Sequence, residues 1–292
     1  MNWKQCPDMS NEKIGLTTLG IVIKNRNDTI QHTDKITFEV KSMIYDKHLI
    51  VMVVPHAEIE FKPPYTYERY VETYMRPRVR HGVKRFLEKS LETIESLEIR
   101  WVGHEPLLRM EVIEEISDFV KCGLEFYGKR PYKAILVTTG YFLDAIRVKK
   151  LISLGIQRYQ ISLERSEETC ESGSIMPEHI LNNMKELAQL PEKYAFRVTI
   201  WSSVVEEADI EQFQKEIGGD SRIVLKRRTS KADKESESKE EPRRAYVFRA
   251  NGEIETFDIT TGKDRKVVGE VDQYGSAKFH ALDEEEKTIA SS

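Results

Sequence analysis

Between residues 49 and 228 the chain alternates β-rich runs with helix-period segments, which restricts the fold more than any other feature. Residues 49–54 form an unbroken apolar run, of the kind buried on both faces in a parallel sheet. Residues 65–94 predict a helix interrupted at Pro77, residues 97–102 a strand, and residues 108–127 a second helix. The second helix carries Val112, Ile113, Ile116, Phe119, Val120 and Leu124 along one stripe. Residues 133–139, 156–163, 194–201 and 221–227 predict four more strands, separated by helices over 144–153, 177–189 and 206–217. Gly155 and the pair Gly218 and Gly219 supply helix stops. Such alternation implies parallel strands joined by right-handed crossovers. A doubly wound open sheet and a full or partial barrel both satisfy it.

The flanks follow different patterns. Residues 1–48 form a β-rich segment with hairpin-like runs from residue 15 onward. Residues 229–244 are polar and of mixed charge without an apolar anchor, the composition of a solvated linker. Beyond it, residues 245–258 alternate as two strands around Asn251 and Gly252, a strong hairpin signal, and the chain ends in an acidic run. Against 49 acidic residues stand 45 basic ones, a net charge of −4 that argues against a general nucleic-acid binder. The amino terminus lacks the layout of a secretory signal, and no uncharged apolar run approaches the about 20 residues that cross a bilayer. Cys6, Cys122 and Cys170 are too far apart for a metal knuckle or a disulfide framework, so a reducing cytoplasm is the expected compartment and no membrane partner is expected. Cys122 falls in a helical apolar pattern and reads as a small buried hydrophobe, while Cys170 sits in a Ser- and Glu-rich loop.

Three motifs carry a resemblance. Val102-Gly103-His104-Glu105-Pro106, in the second strand-to-helix turn, resembles the Gly-Gly-Glu-Pro loop of radical S-adenosylmethionine (SAM) enzymes, with His104 in place of the second glycine. Residues 135–141, which include Thr138-Thr139-Gly140, resemble the third strand of that superfamily, with Leu143 and Asp144 following. Residues 152–164, ending Ser162-Leu163-Glu164, resemble the fourth strand of its peptide-modifying branch. The fifth strand adds Arg197, and the C-terminal hairpins resemble the SPASM extension of sulfatase-maturase-like members. The resemblance implies a partial (β/α)6 TIM-like barrel over residues 49–228, preceded by an N-terminal β-hairpin segment and followed by a small SPASM-like β-hairpin extension over 245–292. It also implies a residual SAM site at Gly103, Glu105, Thr138, Ser162 and Arg197. Matching members use an acidic residue at the place of Glu164 as a proton acceptor; in this chain a salt bridge is the plainer role for it.

The chain departs from the superfamily at its chemical centre. Radical SAM enzymes hold a [4Fe–4S] cluster on three thiolates after the first strand, because iron–sulfur clusters require soft thiolate ligands. The corresponding residues 55–67 contain no cysteine, and none occurs between Cys6 and Cys122. His56, Glu58 and Glu60 share one face of an extended segment, and His104 is placed to join them, so another metal is conceivable there. A solvated polar turn is the plainer reading. The expectation is a pseudoenzyme of the radical SAM class with no catalytic residues and no cluster. Its expected partners are a precursor peptide, an active radical SAM enzyme, or both, in the setting of ribosomal-peptide modification, with no nucleic acid. The alternatives are a protein that still binds SAM or a nucleotide, and an enzyme with a non-cluster metal site.

Overall fold

The computed structural model describes residues 47–56, 75–128, 130–163, 176–228, 243–260 and 262–280. Strands β1 (His48–Val53), β2 (Ser96–Trp101), β3 (Tyr132–Thr138), β4 (Arg158–Leu163), β5 (Arg197–Ser202) and β6 (Ile223–Arg227) each pair in parallel with the next. Helices α1 (Pro77–Leu91), α2 (Met110–Phe126), α3 (Ala145–Ser153), α4 (Glu178–Ala188) and α5 (Glu207–Glu216) connect them. Four more strands follow: β7 (Arg244–Phe248), β8 (Glu253–Asp258), β9 (Lys266–Val271) and β10 (Ala277–Phe279). Together they make one ten-stranded mixed sheet in the order β10-β9-β8-β7-β1-β2-β3-β4-β5-β6. The sequential order of β1 to β6 contains no reversal, unlike a doubly wound sheet.

Local chemistry explains the helix starts. Pro77 occupies the first turn of α1, where its missing N–H costs nothing, so the predicted interruption is the helix start. Asp144 caps α3 by accepting from the Arg147 amide at 2.7 Å. The strands then sort their side chains by alternation. On one face Val51, Ile99, Leu136, Ile161, Ile200 and Leu225 join the helix stripes in the main core.

The C-terminal strands continue the same sheet and do not form a layer of their own. β7 lies parallel to β1, pairing Ile50 with Ala245 and Val53 with Phe248. The predicted hairpin at Asn251 and Gly252 joins β7 to β8, with Gly252 at φ 102°. Helix α1 seals this region: the Phe86 ring packs 5.1 Å from Phe248 and 5.8 Å from Phe279, and Arg78 donates to the carbonyls of Val271 and Asp272. Gly82 lets the helix lie against β9, since a Cβ there would stand 2.5 Å from Val271 Cγ1.

The N-terminal hairpins predicted before residue 47, the linker over 229–242, Cys6, Cys170 and the acidic tail lie outside the described residues. Cys122, expected as a small buried hydrophobe, is half-buried and packs against the main core, and it is disulfide-bonded, which the spacing of the cysteines did not suggest. Among the described residues no helix is long and apolar enough to cross a membrane.

Candidate functional site

Parallel strands bring their following loops to one end of the sheet. At that carboxyl edge the turn after β2 meets the ends of β1 and β3. Gly103 takes φ 120°, and a Cβ on it would stand 3.2 Å from Val54 Cγ1, so the tight turn requires glycine. Glu105, fully buried, turns its carboxylate toward the end of β3. Its oxygens accept from the Thr138 hydroxyl at 2.8 and 2.9 Å, the Thr139 hydroxyl at 2.5 Å, the Thr139 amide at 3.1 Å and the Leu107 amide at 3.1 Å. A buried carboxylate is tolerable only when its lone pairs are satisfied in this way. The Thr138 hydroxyl also accepts from the Gly140 amide, which braces the loop after β3. From the other side, Asn183 of α4 donates to the carbonyls of Gly140 and Tyr141.

His56 belongs to the same network. It is buried, and its Nε2 accepts from the Glu105 amide at 3.1 Å. The lone pair on Nε2 is therefore engaged by the Glu105 amide. His104 is exposed, and Glu58, Glu60 and Glu164 lie outside the described residues. Among the described residues no three His, Cys, Asp or Glu side chains gather as a metal-binding group.

The five positions of the predicted SAM site separate. Gly103, Glu105 and Thr138 come together, with Thr138 a register partner of Ile161 beside Ser162. Ser162 is exposed near the end of β4, where its hydroxyl accepts from Arg228 at 2.9 Å. Arg197 is not brought to that edge. It is the first residue of β5 and pairs with Arg158, the first of β4, whereas Ser162 pairs with Trp201. Four residues along a strand place Arg197 about 13 Å from the Ser162 level. Thr139 falls within the motif quoted for the third strand, whereas Asn183 and Arg228 were not singled out by sequence reasoning; a cation following a β-run is the signal that points to Arg228.

Beyond the carboxyl edge, the sheet face opposite the main core sets charged side chains among buried apolar ones such as Ile50, Ile135 and Val247. On β2 and β3, Glu98 holds Arg100 at 2.5 Å and Lys133 at 2.7 Å. Burial pushes the Glu98 carboxyl upward, and the two cations outweigh that and hold it below the usual carboxylate range. On β8, Glu255 pairs with Arg249 at 2.8 Å. On β5 and β6, Lys226 Nζ lies 5.5 Å from the centre of the Trp201 ring.

No family model and no curated protein matches this sequence. Solved structures do match. The chain is similar to polyhistidine-tagged anSMEcpe with bound AdoMet at 14% identity and a TM-score of 0.51, over 77% of this chain and 78% of that one. It is similar to native anSMEcpe with bound AdoMet and the Kp18Cys peptide at 13% identity and a TM-score of 0.50, again over 77% and 78%. The fold is that of radical SAM enzymes. At these identities the radical SAM likeness is one of backbone architecture, and it says nothing by itself about which side chains act.

Proposed function

We propose that this chain is a degenerate radical SAM-like protein that binds a peptide, or pairs with an active enzyme on a peptide, without radical chemistry of its own. In this reading β1 to β6 are a partial (β/α)6 barrel, and β7 to β10 are the counterpart of the SPASM extension. The observation that carries the reading is the donor set after β1. Residues 55–67 offer one histidine and two glutamates and no thiolate, and that chemistry does not fit an iron–sulfur cluster. No catalytic step is therefore derived through a cluster. The network around Glu105 supports the same reading, because the carboxylate and the amide of Glu105 are both engaged within the protein.

The peptide part of the reading draws on a neighbour of like fold, anSMEcpe, solved with a peptide bound. It is an analogy of fold and is tested as such. Purification of the full chain from its source cells, followed by mass spectrometry, is expected to yield a peptide or a second enzyme in stoichiometric amount. Recovery of the chain alone, with turnover of SAM to 5′-deoxyadenosine, overturns the proposal. Gly103, Thr138 and Ser162 are the positions at which residual SAM contact is retained in the proposal, and Arg197 is given no part in it. Calorimetric titration with millimolar SAM reads that contact directly, and absence of heat removes it.

A further inference from the structure

The sheet face opposite the main core changes character from one side to the other. On the β7, β1 and β3 side, Ile50, Ile135, Ala245 and Val247 are buried. Across β4, β5 and β6 the same face is open: Arg158, Ser162, Arg197, Lys226 and Arg228 are all exposed. Four of those five are cations. Among the described residues no Asp or Glu occupies a position of that face on these three strands and no carboxylate pairs with any of the four; Glu164, next in the alternation after Ser162, lies outside the described residues. Arg158 and Arg197 are direct register partners. Like charges placed opposite one another destabilise a strand pair, so their juxtaposition is unfavourable until an anion neutralises it.

We propose, building on the peptide-binding reading, that this open face of β4 to β6 is the docking surface for an acidic peptide segment. The cations stand in two rows. Arg158 and Arg197 form one; Lys226, level with Trp201 and Ser162, marks the other, and Arg228 stands two residues beyond it with its guanidinium donating back to Ser162. Four strand residues separate the rows, about 13 Å at 3.3 Å per residue. An extended peptide aligned with the strands presents side chains of one face at the same repeat, so carboxylates four residues apart reach both rows. Single-stranded nucleic acid fits less well. Such ligands are held by aromatic side chains on which bases stack, whereas this face of β4 to β6 offers Trp201, with Lys226 beside its ring.

The test is fluorescence anisotropy on the full chain with a labelled twelve-residue peptide carrying Asp or Glu at every fourth position. Its counterpart carries Asn and Gln instead. The acidic peptide is expected to bind at least about tenfold more tightly than the amide peptide, and to weaken as salt is raised from about 0.05 to about 0.3 M. The double variants R158Q/R197Q and K226Q/R228Q should each lose about tenfold in affinity, while R243Q, an exposed control elsewhere, should lose none. Unchanged circular dichroism confirms that the variants fold. Equal binding of both peptides, or wild-type affinity in both double variants, overturns this inference and leaves the peptide-binding reading standing. Failure of the acidic peptide to bind overturns this inference, and the co-purification experiment decides the peptide-binding reading separately. Displacement of the acidic peptide by an oligonucleotide of equal charge assigns the face to nucleic acid and overturns the proposal.

Discussion

The β2–β3 region and the β4–β6 region occupy the same sheet and handle charge in opposite ways. In the first, the carboxylates carry their partners with them: Glu98 holds Arg100 and Lys133, and Glu105 is enclosed by Thr138 and Thr139. In the second, Arg158, Arg197, Lys226 and Arg228 are exposed, and among the described residues no acid is paired with them. A region with internally matched polar groups is built for stability, because each group it buries is satisfied within the fold. A region with unmatched exposed charge gains little stability from that charge and is available for recognition. The difference separates the part of the sheet that holds the fold together from the part that the proposal assigns to binding.

The sharpest way to break that comparison is Glu105→Ala. It strands several buried donors and opens a cavity, and should cost about 3–4 kcal/mol in urea denaturation. A cost under about 1 kcal/mol would mean that the network is not structural. Glu98→Gln should cost about 2 kcal/mol, because it leaves Arg100 and Lys133 adjacent without their anion, and both are partly exposed to water. Acid should act through the same group. The folded pKa of Glu98 is depressed, so its contribution is present above the unfolded value of about 4 and is lost as pH falls through the lower folded value. The wild-type melting temperature should therefore decline below about pH 4, and Glu98→Gln should flatten part of that decline. Asp220, raised by burial and more strongly lowered by Arg222, adds to the same acid limb. The smallest effect is expected from Arg197→Gln and Lys226→Gln, each within about 0.5 kcal/mol of wild type. Either one costing as much as Glu98→Gln would erase the contrast between the two regions.

Much of the fold was legible because its signals are local. Strand β2 was expected over residues 97–102 and is observed at Ser96–Trp101, and Pro77 marked the start of α1. The pairing of β7 with β1 was not legible, since it joins residues nearly two hundred positions apart along the chain. The start of β5 was legible only approximately. The fifth strand was expected from residue 194, but Tyr194 closes a turn by donating its amide to the Pro191 carbonyl at 3.0 Å. The strand therefore begins at Arg197, at the end away from the carboxyl edge. His56 was read as part of a solvated polar turn, with a metal as the alternative, because the buried acceptor role it plays toward the Glu105 amide leaves no trace in spacing. The basic face becomes visible only when three strands are laid side by side in register.

The central claim, a radical SAM scaffold that binds without radical chemistry, is tested most directly by anaerobic reconstitution. The purified chain is incubated with ferrous iron and sulfide, then assayed for bound iron and for 5′-deoxyadenosine formed from SAM under a strong reductant. Substoichiometric iron and no 5′-deoxyadenosine are predicted, because residues 55–67 contain no thiolate. A stoichiometric cluster together with cleavage of SAM would contradict the account.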